Sequence, residues 1–227
     1  MTGTIPVGRT RLRAHTRAEQ MADAAIHFVG VVGALVAVPI LVTLAAASRE
    51  GEPIVVAIVV YGLSVIAMLG FSASYNLATI RLEGGRLLDW LRRLDHAAIY
   101  VKIAGTYTPF AVIAGGPVGR WLLIGVWSGA VLGMLAKLVA PWGWERVSVG
   151  LYLALGWAFV LAAGPISRAL TGDTLALMAI GGGLYTVGVI FHLWERLPFQ
   201  NAIWHLFVLV ATFVFYAAIT VEVASRA

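Results

Sequence analysis

Residues 54–78 read IVVAIVVYGLSVIAMLGFSASYNLA, a stretch without one Asp, Glu, Lys, Arg or His. A helix needs about 20 apolar residues to cross a hydrocarbon layer of about 30 Å, and this stretch exceeds that. Backbone N–H and C=O groups find no water inside a bilayer, so such a segment spans as a helix whose bonds are internal. Working outward, one stretch of the same kind precedes it, at 22–47, and five follow, at 97–115, 121–139, 147–166, 174–194 and 202–223. The expected fold is an all-α integral membrane protein, a seven-transmembrane-helix bundle. Its domain plan is a basic tail over 1–20 and a single membrane domain over 21–225.

Composition agrees. The chain has 227 residues, 60% of them hydrophobic and 12% charged, against about 25% charged in a typical soluble domain. That balance excludes a disordered, fibrous or nucleic-acid-reading chain and argues against a soluble enzyme. There is no Cys, hence no disulfide, no thiolate nucleophile and no sulfur ligand for a metal. The apolar stretch after the tail is too long for a cleaved signal, so no processing is expected. Residues 81–95 hold Leu82, Leu87, Leu88, Leu91 and Leu94 among Arg at helical spacing, which predicts an amphipathic helix lying on the membrane surface.

The positive charges set the orientation. With the amino terminus inside, the inner segments carry Arg9, Arg11, Arg13, Arg17, Arg81, Arg86, Arg92, Arg93, Lys137, Arg146 and Arg196. The outer segments carry only Arg49, Arg120, Arg168 and Arg226. The bias places the amino terminus inside and the carboxyl terminus outside. The expected location is the plasma (cytoplasmic) membrane, as a multi-pass protein whose partner is membrane lipid and not nucleic acid.

Ionisable residues inside spans are costly and are functional candidates by default. Here they are Asp23, His27, Asp95, His96, Lys102, His192, His205 and Glu222. Ser72 and Asn76 are four apart, as are Asn201 and His205, so each pair shares a helix face. These faces and the start of the third span lie at one depth and predict a polar site just inside the cytoplasmic boundary. Several residues have plainer readings. Glu19 and Asp23 suit a helix start, His192 an interface, and Glu222 a reach toward headgroups. Trp121, Trp142, Trp144, Trp194 and Trp204 suit an aromatic belt. His27 fits either helix packing or the polar site. Thr106 and Thr108 could satisfy the carbonyl that Pro109 frees. Small residues inside spans, among them Gly30, Gly62, Gly105, Gly133 and Gly183, read as close helix packing. Paired repeats and broken spans are not evident, which leaves a transporter little support.

The segments RLDHAAIYVKIAGTYTPF (93–110) and GGGLYTVGVIFHLWERLPFQNAIWHLFVLV (181–210), with EQMADAAIHFVGVVGAL (19–35), resemble signature stretches of the hemolysin III family. That family groups with the progestin and adiponectin receptors and, more distantly, with alkaline ceramidases. The resemblance implies a seven-helix bundle with an inner amino terminus and a zinc site near the cytoplasmic face. The implied ligands are a His in S-x-x-x-H ending the second span, an Asp opening the third, and both His of H-x-x-x-H in the seventh. This chain has Ser72 and Asn76 in the first motif, Asp95 in the second, and Asn201 with His205 in the last. Phe215 stands where relatives often carry a further His.

Zinc takes His, Cys or carboxylate ligands and catalytic sites use three, whereas an amide oxygen suits harder ions. The expectation is therefore a degenerate, metal-free polar site of Ser72, Asn76, Asp95, Lys102, Asn201 and His205, with His27 and Asp23 as further members and no cofactor. Lys102 follows Asp95 by seven residues, two turns and about 10 Å along the helix, so it can lean toward Asp95. Plain snorkelling to the interface is the alternative. Two functions stay open. One is a hemolysin III type membrane protein of cytolytic or receptor-like role, with a lipid-like ligand in the bundle. The other is a zinc-dependent membrane lipid amide hydrolase.

Overall fold

The structure is a computed structural model and describes residues 16–48, 51–82, 84–139 and 145–226. The basic tail as far as residue 15, with Trp142 and Trp144, lies outside them. The helices are α1 (Arg17–Ala47), α2 (Glu52–Arg81), α3 (Arg86–Ala114), α4 (Gly116–Val139), α5 (Glu145–Gly156), α6 (Ala163–Ala169), α7 (Gly172–Leu193) and α8 (Gln200–Ala224). A 3-10 turn, Ala158–Ala162, joins α5 to α6. Seven helical segments are long and apolar enough to span, the fifth being Val147–Ala169.

Their outer surface shows why a bilayer suits them. Phe28, Val36, Ile40, Leu63, Leu132, Leu161 and Ile190 are exposed around the bundle. In water so much exposed apolar surface promotes association, whereas hydrocarbon solvates it. The most buried helix is α3, which packs on α2, α4, α5, α6 and α8. α1 lies on α2 and α8, and α7 lies on α8. Small residues allow these approaches. A Cβ on Gly105 would fall 2.1 Å from Ser64 Oγ of α2, and one on Gly133 would fall 2.3 Å from the Tyr100 ring. Gly183 packs no neighbour closely, and neither do Gly70 and Gly125.

Helix ends follow local chemistry. Thr16 and Glu19 form a reciprocal capping box at the start of α1. Gly115 and Gly116, both at positive φ, turn α3 directly into α4, a conformation that costs glycine little.

Three expectations need correction. Residues 81–95 are not one surface helix. Arg81 ends α2, Gly85 at φ 113° turns the chain, and Arg86 to Asp95 are the first turns of α3, continuous with its span. A helix already nucleated in the span extends cheaply through good helix formers such as Leu and Arg. The fifth span is broken between Gly156 and Ala163, a break not expected from sequence although Gly156 and Pro165 lie in that stretch. The hydroxyl of Tyr107 repairs it by donating to Gly156 O (2.7 Å) and accepting from Phe159 N (3.0 Å). Thr106 and Thr108 donate to Lys102 O and Ala104 O, one turn behind, and not to the Gly105 carbonyl that Pro109 frees.

Candidate functional site

The site forms where the first turns of α1 and α8 meet the last turns of α2. Asp23 and His27 are one turn apart, so both side chains leave the same face of α1. That face packs on α8 and brings them to His205. Asp23 Oδ1 lies 2.6 Å from His205 Nδ1, and Asp23 Oδ2 lies 3.5 Å from His27 Nε2. The two imidazoles tilt against each other with centroids 4.4 Å apart. One ligand atom from each of the three residues lies within 4.8 Å of the other two. His27 is 4% exposed, and its Nε2 has no hydrogen-bond partner among the described residues.

Beside this triad is a partly open recess lined by Glu19, Gln20, Asp23, Ala24, Asn76, Leu77, Thr79, Ile80, Phe199, Asn201 and Ala202. Glu19 fixes its edge. Besides closing the capping box, it accepts from Phe199 N at 2.8 Å and so ties α1 to the start of α8. Phe199 sits in the left-handed region at φ 58°, uncommon for an aromatic residue. Asn76 donates to Ser72 O at 2.9 Å, which leaves its amide oxygen as an acceptor. Ser72 is buried behind it.

Of the residues expected from sequence, Asn76, Asn201 and Asp23 share the recess, and His27 and His205 join Asp23. Asp95 and Lys102 lie apart from them and from each other. Asp95 Oδ2 is 3.7 Å from His96 Nδ1 on its own helix. Lys102, 4% exposed, donates to the Tyr185 hydroxyl of α7, and its Nζ lies 4.2 Å above the Tyr185 ring. Tyr185 bonds Thr212 at 2.7 Å, and Thr212 donates to Val208 O. Lys102 thus neither pairs with Asp95 nor snorkels, because an aromatic hydroxyl in the bundle interior accepts its bond. Sequence reading missed Tyr185, since nothing in an isolated span says which helix an aromatic faces.

The chain matches the family described as Haemolysin-III related over residues 15–216. It belongs to that family. Hemolysin-3 of Bacillus cereus is 40% identical over 194 residues, 84% of this chain and 85% of that protein. A Hemolysin-3 homolog of Bacillus subtilis (strain 168) is 37% identical over 84% of this chain and 88% of its own length. The human Monocyte to macrophage differentiation factor is 28% identical over 163 residues, 70% of this chain and 67% of that protein. The zinc implied for this hemolysin III chain can be tested against its donors. Asn76 and Asn201 offer amides, and Asp95 is engaged near His96. Those positions do not fit zinc. Asp23, His27 and His205 supply a carboxylate and two imidazoles, a donor set that does.

Proposed function

We propose that this multi-pass hemolysin III family protein acts by binding the polar head of a membrane lipid or lipid-like amphiphile in the recess between α1, α2 and α8. One observation carries the reading: the recess has a mixed lining. Polar Glu19, Gln20, Asp23, Asn76, Thr79 and Asn201 line it together with apolar Ala24, Leu77, Ile80, Phe199 and Ala202. An amphiphile can use both kinds of surface, and a fully water-soluble ligand only one. No Lys or Arg is among the lining residues. The recess therefore favours a neutral or positively charged head rich in N–H or O–H donors over a phosphate.

The excess of Lys and Arg near this end supports a cytoplasmic assignment for it. Because the chain has no Cys, a Cys placed at Arg86 is expected to react with an impermeant thiol reagent only after the cells are opened. Labelling in intact cells reverses the assigned orientation.

Bound lipid is the direct test. Wild type is expected to retain a defined lipid through detergent purification, identified by mass spectrometry. Asn76→Leu with Asn201→Leu is expected to lose most of it. Equal lipid content in the two proteins refutes the reading. A second reading, hydrolysis of a lipid amide, is favoured by the carboxylate and two imidazoles beside the same recess. It requires that they hold a metal ion.

A further inference from the structure

The Asp23, His27 and His205 cluster is incomplete as a hydrogen-bonded unit. One carboxylate faces two imidazoles, hydrogen-bonds to one of them at 2.6 Å, and lies 3.5 Å from the other, so the buried His27 Nε2 has no hydrogen bond among the described residues. A buried polar nitrogen without a partner is costly. Tetrahedral zinc with bonds of about 2.0 Å sets neighbouring ligand atoms about 3.3 Å apart. The three candidate ligand atoms lie within 4.8 Å of one another, so modest side-chain adjustment brings them to that spacing. A cation bound here would replace the proton shared by Asp23 and His205 and would engage the His27 nitrogen that lacks a hydrogen bond.

We propose that Asp23, His27 and His205 bind one divalent transition-metal ion, zinc by the chemistry of the donors, in a site built largely on α1. Only His205 belongs to the ligand positions that the family resemblance implies. Asn76, Asp95 and Asn201 take no part. Two nitrogens and a carboxylate are a common zinc set, and three protein ligands leave a coordination position open. Asp23 also lines the recess, so an ion here would supply a Lewis acid at its edge. The proposal does not depend on the lipid reading, because its test reads metal and not lipid.

The full-length protein in detergent is stripped with a chelator, returned to Zn²⁺, and assayed for zinc per chain and for melting temperature. Co²⁺ replaces Zn²⁺ in a parallel sample to read coordination from visible absorption. The expected result is one ion per chain, a saturable rise in Tm and a Co²⁺ spectrum with fewer than six ligands. Asp23→Asn and His27→Gln are each expected to weaken binding by about 100-fold or more and to remove the Tm rise. His27→Gln keeps a polar side chain of similar reach, which guards against a variant that simply fails to fold. Wild type that takes up no ion at micromolar Zn²⁺, or binding that survives both substitutions, overturns the proposal.

Discussion

Asp23 and Glu222 are both buried carboxylates that bind α8 to another helix, one at each end of the bundle, yet their surroundings differ. Glu222 is 0% exposed and saturated. It accepts from Thr171 N (3.0 Å) and Thr171 Oγ1 (3.1 Å) at the start of α7, and from Arg226 Nε (2.9 Å). Arg226 in turn donates to Ala169 O, closing the cluster on the end of α6. This is a structural clamp that caps α7 and pins the last turn of α8, and not the headgroup contact expected from sequence. Asp23 has one short bond to His205 and a second imidazole left over. A saturated polar cluster holds helices together, and an unsaturated one of the same size has capacity for something else.

The sharpest way to break the comparison is Glu222→Leu. It strips Thr171 of its acceptor and Arg226 of its carboxylate, and is expected to cost about 2–4 kcal/mol. Thermal unfolding in detergent measures it, and added zinc should not change the loss. A small loss would mean that the clamp at the carboxyl-terminal end is not structural.

Next in size is the Lys102 cluster in the middle of the bundle. Tyr185→Phe removes the hydroxyl partner of the buried Lys102 Nζ, at an expected cost of about 1–3 kcal/mol. Lys102→Met keeps the packing volume, leaves Tyr185 bonded to Thr212, and is expected to cost less than about 1 kcal/mol. The double variant should then be no worse than Tyr185→Phe alone. Strictly additive effects would show that Lys102 and Tyr185 do not act as a pair.

A change in stability well below that of the Glu222 clamp is expected at the unsaturated end. In metal-stripped protein Asp23→Asn loses one charged hydrogen bond, about 1 kcal/mol, well below the Glu222 variant. Its signature is elsewhere, in loss of the zinc-dependent rise in Tm. A loss as large as that of Glu222→Leu in stripped protein would place Asp23 with the structural clamps and erase the contrast.

Much of the fold was legible because span formation is a local property. Long apolar runs, such as 54–78 without any charge and 202–223 with Glu222 as its one carboxylate, have one low-energy solution in a bilayer. The S-x-x-x-N and N-x-x-x-H spacings singled out Asn76 and Asn201, which both line one recess, whereas Ser72 and His205 are not among its lining residues. Asp23 and His27 were visible as a pair four apart. Their approach to His205 was not, since 182 residues separate Asp23 from it.

Sequence by itself determined the number of spans, their approximate limits and which of their faces are polar. Hydropathy and helical period depend only on residues within a turn or two of one another. Tertiary structure alone decided that Lys102 turns to Tyr185 and not to Asp95, that Tyr107 repairs a broken fifth span, and that α1 supplies two members of the triad. Each of these depends on how a helix is rotated about its own axis against its neighbours. That rotation is set by close contacts such as Gly105 on Ser64 and Gly133 on Tyr100, which exist only once the whole bundle has packed.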